Sequence, residues 1–271
     1  MQNQGKKLAV LGAGPSGMMA AHAAAQCGYY VKVFDRDPSQ VRRNSGVFYI
    51  HDDCDLLLDS IKIRQTVLGC SLMTPDEISL AYSNKVYGKP SVGRVSVMNV
   101  ITEDETTGYN AAQAVDRLWD LYGGQVEKQE IEGMNSVDYL TVYEGFDKVI
   151  STIPAYVLYP GIYDSSSAQI KVGKAPEDEA FIFYNLNSFS PWYRCSAMFG
   201  LFIMEYGING PDEPTDKPSD YQWKTVTKVI GNGVISDRED LFLVGRYGAW
   251  NKTTLTHDVY YESLKWLEKN N

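Results

Sequence analysis

Three glycines near the start constrain this chain more than anything else in it. Gly12, Gly14 and Gly17 stand in G-x-G-x-x-G spacing, between an apolar run at residues 8–11 and an alanine-rich run at 18–27. A second apolar run, residues 30–34, ends in Asp35, 23 residues after Gly12. The order predicts strand, helix and strand, with Gly28 as the helix stop. Each glycine has a separate task. Gly12 lets the chain turn out of the first strand, Gly14 lets backbone approach a pyrophosphate, and Gly17 lets the helix pack close to the sheet. Amides around Pro15 and Ser16 then face the phosphates with the positive end of the helix dipole behind them. Asp35, at the end of the second strand, is placed to bind a ribose diol. A glycine-rich turn in an unrelated α/β protein would explain the glycines, but not the stop and the terminal acid in register with them.

The remaining composition sets bounds. The 271 residues suit one large domain or two interwoven ones, and 44% hydrophobic content with mixed charge provides a substantial core. No run is long and apolar enough to span a membrane. Residues 8–11 follow two lysines as a signal peptide's core would, but they carry the glycine fingerprint and no cleavage site. The expected location is therefore cytoplasmic. Cys27, Cys54, Cys70 and Cys195 form no C-x-x-C pair and the three histidines are far apart in sequence, so neither a disulfide scaffold nor a metal site is expected. A net charge of −9 argues against stable binding to a nucleic-acid backbone. The expected partner is a small-molecule or modified-nucleotide substrate, and the oligomeric state stays open.

Further along, residues 36–53 read as a turn-rich loop and 53–61 as a short helix. Residues 64–101 read as a β block cut by Pro75, Gly88, Pro90 and Gly93. Residues 109–122 return to helix, with Ala112, Val115, Leu118, Trp119 and Tyr122 on one face and Gly123-Gly124 as the stop. A strand at 125–131, a hairpin through Asn135-Ser136 and a buried strand at 146–154 follow. Residues 155–179 read as irregular, and 181–230 as a second β block interrupted by a proline-rich loop at 210–218. The expected class is α/β: a Rossmann-like FAD-binding domain (1–61, 105–155, 236–271) interwoven with an antiparallel β substrate domain (62–104, 156–235).

The end of the chain explains why FAD is expected rather than a nicotinamide. Residues 241–244 form an apolar strand followed by Gly245-Arg246, and an amphipathic helix at 254–267 begins near Thr253 or Thr254. Such a late strand, glycine and helix suit a flavoprotein whose last segment returns to cover the cofactor.

Three segments, VLGAGPSGMMAA with VFDRD, DKVISTIPA, and DLFLVGRYG, resemble the FAD-binding group that includes amine oxidases, protoporphyrinogen oxidase and UDP-galactopyranose mutase. PWYRCSAMF and GRYGAWNKTTLTHD are similar to the mutase branch in particular. The chain departs from the group in its short length, in a loop at 42–46 with a single glycine, and in Arg246 where many members place an acid. It resembles a compact flavoprotein of the bacteriophage type, some of which are associated with base hypermodification. The resemblance implies that Gly12, Gly14, Pro15, Ser16 and Gly17 hold the pyrophosphate, that Asp35 holds the adenosine ribose, and that Arg36 is among the cofactor-binding residues. It further implies Ser45 and Gly46 on the flavin side, Val126 at the adenine, and Gly245 and Arg246 at the ribityl chain or pyrophosphate. With no second G-x-G-x-x-G, no separate NADPH domain is expected.

Three residues are candidates for the chemistry. His51 ends a run at 47–51 of extended character, placed on the flavin side, and could shuttle protons. His257 opens the closing helix, whose positive end would lower its pKa. Arg194 lies in a strongly apolar strand, where a charge needs a partner or a pocket, and could fix an anionic group. Tyr193, Tyr247 and Trp250 could wall a ring, and Lys252 reads as a solvated turn lysine. The leading expectation is an FAD-dependent oxidoreductase acting on a C–N bond of an amine or amino-acid-like substrate, such as an amino-acid adduct of thymine in phage DNA. The alternatives are a non-redox flavoenzyme of mutase type and a nucleotide-binding module without catalysis.

Overall fold

The computed structural model describes residues 5–41, 49–90, 103–207, 221–231 and 233–270. In chain order, β1 (Lys7–Leu11), α1 (Pro15–Gln26), β2 (Tyr30–Asp35), α2 (Pro38–Val41) and β3 (Tyr49–Ile50) come first. Then come β4 (Ser60–Leu68), α3 (Pro75–Tyr87), β5 (Glu103–Asn110), α4 (Ala111–Tyr122), β6 (Val126–Lys128), α5 (Val137–Glu144), β7 (Lys148–Ser151) and α6 (Ala155–Leu158). The chain closes with β8 (Ser165–Lys174), β9 (Phe181–Asn185), β10 (Trp192–Met198), β11 (Leu201–Tyr206), β12 (Gln222–Val229), β13 (Leu241–Leu243) and α7 (Thr256–Lys269). The chain divides into two compact units: Met1–Asp59 with Tyr109–Tyr163 and Gly233–Asn271, and Ser60–Gly108 with Asp164–Asn232.

The first unit is Rossmann-like. Its sheet runs β13-β7-β1-β2-β6 with every pairing parallel. A parallel sheet is covered on both faces, and β1 accordingly reads as an unbroken apolar run with Leu8, Ala9, Val10 and Leu11 all fully buried. On one face lies α1, whose buried Ala20, Ala21, Ala23 and Ala24 hold the helix close to the strands. Ala111, Ala114, Val115 and Leu118 bury one face of α4, and Asn110 caps its start by accepting from the amides of Ala112 and Gln113 at 3.0 and 3.2 Å. The last helix, α7, packs along α1 through Val259, Tyr260 and Leu267. The opposite face of the sheet is covered around Tyr139, Val142 and Leu158.

The second unit is built on a sheet ordered β12-β8-β11-β10-β9-β4-β5. Its pairings from β12 to β9 are antiparallel, and β4 joins β9 in parallel. α3 lies on this sheet, with Ile78, Tyr82 and Val86 buried.

Several local expectations are overturned for identifiable reasons. Residues 75–87, expected within a β block, form α3. Thr74 accepts from the amide of Glu77, and the Glu77 carboxylate accepts from the amide of Thr74 at 2.7 Å. Pro75 opens the helix and Gly88 ends it with φ +74°. Residues 53–61, expected as a helix, form a strap of turns up to residue 59 and then enter β4, because carboxylates of Asp52 and Asp53 take the amides of Cys54 and Asp55. Asn135-Ser136 makes no hairpin; Ser136 accepts from the amide of Tyr139 and starts α5. The stretch expected to be irregular, 155–179, contains α6 and the ten-residue strand β8. The closing helix begins at Thr256 rather than under a threonine cap. Asp258 reaches back to the amide of Leu255 at 2.7 Å, and the Thr253 hydroxyl is spent on Asn251. Residues 94–100 and 210–218 lie outside the described residues.

Candidate functional site

The first unit's strands are parallel, so their carboxyl ends share one edge, where ligands of such sheets bind. There the glycine turn has the geometry its spacing demands. Gly12 has φ +96°, and a Cβ on it would stand 2.7 Å from Thr152 Oγ1. A Cβ on Gly17 would stand 1.7 Å from the Gly12 carbonyl oxygen, so only glycine lets α1 begin so close to β1. Gly14 differs. Its backbone is extended, with φ −64° and ψ 174°, and a Cβ there would meet nothing within 4 Å. The space over Gly14 is therefore open, at the start of a helix that no side chain caps. Asp35 sits beside it. Its carboxylate accepts from the amides of Ala13 and Asp37 at 2.8 and 2.9 Å, which fixes its orientation and leaves lone pairs for further donors. Arg36 is exposed, and Val126 pairs with Val33 at the neighbouring edge strand. Ser45 and Gly46 lie outside the described residues.

The late turn closes on the same edge. Gly245, at φ +85°, would place a Cβ 3.2 Å from Ser16, and Gly248 would place one 2.2 Å from the Val244 carbonyl oxygen and 2.6 Å from that of Ser151. Gly248 is a glycine that spacing did not single out; it lets this turn lie on the end of β7. Arg246 is half-buried. Tyr156, Tyr163 and Tyr247 set their edges toward Trp250, with centroids 5.1–6.3 Å away, and Trp250 itself has φ +48°. Lys252 is not a solvated turn residue: it is only 6% exposed, and burial lowers its pKa.

The two candidate histidines come together. His51 and His257 make an edge contact with ring centroids 5.3 Å apart, and Tyr49 packs on the other side of His51 at 4.9 Å. His257 Nε2 lies 3.4 Å from Asp258 Oδ1. Close by, an apolar cavity is lined by Pro15, Met19, Ile50, Ala111, Leu118 and Thr256. It lies among the start of α1, β3, α4 and the first residue of α7.

Arg194 belongs to the second unit, and its guanidinium is engaged by the buried carboxylate of Glu205. Tyr193 Oη and Lys228 Nζ donate to the same carboxylate at 2.6 and 2.7 Å. Although burial alone would raise the Glu205 pKa, its cations and hydrogen bonds outweigh that and hold it far below the usual carboxylate range. Among the described residues no group of His, Cys, Asp and Glu is arranged to hold a metal, and the cysteines are free. No described helix is long and apolar enough to cross a membrane.

No family model matches the sequence, and no curated protein does either. Solved structures do match in fold. A reduced UDP-galactopyranose mutase superposes with a TM-score of 0.63 at 12% identity, covering 97% of this chain and 95% of that one. The fold is shared with that mutase. The peptidyl tryptophan dihydroxylase QhpG matches with a TM-score of 0.54 at 10% identity, and the rebeccamycin biosynthetic enzyme RebC with reduced flavin at 0.51 and 13%. This chain covers 66% and 61% of those two proteins' lengths.

Proposed function

We propose that the protein is an FAD-dependent oxidoreductase that oxidises a C–N bond of an amine or amino-acid-like substrate to C=N, the hydride leaving the carbon next to nitrogen and a proton leaving the nitrogen. The observation that carries the cofactor assignment is the contrast among the three glycines. Gly12 and Gly17 are filled against neighbouring atoms, whereas Gly14 opens onto free space at an uncapped helix start beside Asp35. That cradle fits a pyrophosphate with an adjoining ribose. Gly12, Gly14, Pro15, Ser16 and Gly17 would hold the diphosphate, Asp35 the ribose, and the turn at Gly245 and Arg246, packed on Ser16, the middle of the cofactor. Similarity in fold to a mutase determined in its reduced state and to an enzyme with reduced flavin supports this choice over a nicotinamide.

When bound, FAD supplies the hydride acceptor. The chain's part is to orient the substrate, exclude water and move protons. His51 and His257, in edge contact at 5.3 Å, are the groups suited to accept and pass a proton. Arg194 is not assigned to substrate, because Glu205 holds its guanidinium. The carboxylate that neutralises Arg194 is itself 2% exposed.

Purified protein titrated with FAD should turn yellow and retain the colour through desalting, and anaerobic mixing with amines or amino-acid adducts of thymine should bleach it. A preparation that takes up no flavin ends this reading. The mutase likeness, which spans nearly all of both chains, favours a second one: non-redox chemistry on reduced flavin. In that case turnover appears only after reduction by dithionite, and amines leave the oxidised flavin coloured.

A further inference from the structure

His22 belongs to none of the roles assigned so far. It lies on α1 and is 4% exposed. Its Nε2 is 3.2 Å from the carbonyl oxygen of Cys54, and its Nδ1 is 2.9 Å from the hydroxyl of Tyr122 on α4. Tyr260 of α7 stacks on the ring with centroids 5.3 Å apart. A carbonyl oxygen only accepts, so Nε2 carries the proton and Nδ1 accepts from the tyrosine hydroxyl. Both ring nitrogens are thereby committed and one neutral tautomer is selected. Burial lowers the His22 pKa, opposed by the Cys54 hydrogen bond and by the nearby Asp55.

The group that His22 grips is unusual. The strap from His51 to β4 holds three non-glycine residues at positive φ: Cys54 at +50°, Asp55 at +61° and Leu57 at +53°. Such backbone persists only where its surroundings over-determine it. Here they do so from three helices. Besides His22 on α1, Gln113 Oε1 of α4 accepts from the amide of Asp59 at 2.7 Å, and Arg117 donates to the Leu56 carbonyl. From α7, Tyr260 Oη donates to Asp55 at 2.9 Å and Tyr261 Oη to Asp52 at 2.6 Å. The strap's first residue is His51, and Cys54 Sγ lies 4.0 Å from the backbone oxygen of His257.

We propose that His22 is a positioning residue: by clamping Cys54 it fixes the strained strap so that His51 meets His257 in edge contact. The proton-handling purpose of that pair rests on the function proposed above, whereas the clamp itself does not. His22 touches no reacting atom. It sets where one imidazole stands relative to the other.

The chain has three histidines, so each is resolved in a spectrum of the full-length protein labelled at histidine. In the wild type, the His22 signals should be those of a single Nε2–H tautomer. His22→Ala should move the ring resonances of both His51 and His257, and His22→Gln, which can still donate an amide N–H to the Cys54 carbonyl, should return them toward their wild-type positions. Tyr122→Phe, which removes one hydroxyl with little change in volume and leaves the Cys54 carbonyl to keep His22 as the Nε2–H tautomer, should shift the His22 ring signals and, by loosening the clamp, those of His51 and His257, even if His22→Ala fails to fold. The idea is overturned if folded His22→Ala leaves both ring signals in place, if His22→Gln fails to restore them, or if Tyr122→Phe leaves the His22, His51 and His257 signals all unmoved. FAD titration of the same samples separates the two levels: a wild type that shows the clamp but takes up no flavin refutes the proposed function and leaves the positioning role intact.

Discussion

The sharpest consequence of the glycine geometry is that two alanine substitutions, three residues apart, should fail in opposite ways. In Gly17→Ala the new Cβ starts 1.7 Å from the Gly12 carbonyl oxygen and 3.0 Å from Thr152 Oγ1. The first is a backbone atom, so relief requires α1 to move off β1 by more than an ångström. Overpacking of that kind costs about 1–3 kcal/mol or more, against about 1 kcal/mol regained from helix propensity. In Gly14→Ala the Cβ meets nothing, and φ −64°, ψ 174° suits any residue. The apoprotein should keep its stability or gain about 0.4–1 kcal/mol from a stiffer unfolded chain. The loss should appear only with the cofactor, because the methyl fills the space the diphosphate needs. Thermal unfolding with and without FAD measures both. At FAD a hundredfold above its Kd the wild type should gain about 2.7 kcal/mol, or roughly 5–10 °C at ~2–4 °C per kcal/mol. Gly14→Ala should keep the apoprotein midpoint and lose that increment; Gly17→Ala should lower the midpoint itself. Equal destabilisation of the two apoproteins, or a full FAD increment in Gly14→Ala, would refute the assignment.

Other tests follow from single residues. Glu205→Gln leaves Arg194 and Lys228 without their anion and should cost about 3–5 kcal/mol in urea unfolding. Because the folded Glu205 pKa is depressed, its contribution is complete above about pH 4.5 and declines as pH falls toward the folded value, so the variant should show a flatter acid limb. Thr74→Ala removes one half of the α3 capping box and should cost about 1 kcal/mol, measured by denaturant midpoint. Burial and four nearby acids push the Cys54 thiol up to about 12. At pH 8 only about one molecule in ten thousand is thiolate, so Cys54 should resist alkylation until the protein unfolds, as peptide mapping would reveal.

Much of the first unit was legible because its signals are local. The β-α-β unit needs only glycine spacing, apolar runs and a stop, and α4 needs only its apolar stripe and Gly123. The elements that escaped had competing local chemistry. In α3, Pro75 and Gly88 mark a helix start and stop, but in an otherwise β-like stretch they read as breaks between strands. The capping pair Thr74 and Glu77 was the available signal. The strap at 53–61 has helical apolar spacing, yet its aspartates hydrogen-bond their own backbone, and only contacts from distant helices hold its positive φ angles. β8 opens on three serines, and its short alternation of Ala168, Ile170 and Val172 was the available signal; pairing with β11 and β12 fixes the rest of the strand. His51 and His257 were each suspect alone. Their contact depends on folding across two hundred residues, and nothing local announces it. Lys252 shows the same limit, since a loop position does not disclose what covers it.

The strand order β13-β7-β1-β2-β6 also has a timetable. The strand that leads into Gly12 leaves the ribosome well before the sheet's far edge, β13, and the turn that packs on Ser16. At ~5–20 residues per second, the nascent chain waits roughly 5–20 s with the edge of β7 unpaired, and on the order of tens of seconds with α1 lacking its α7 cover. A flavin bound as proposed would therefore find no complete site early in folding. Capture of the proposed cofactor would be a late event in this protein's life, and a chain that stalls short of Leu241 presents an open apolar edge.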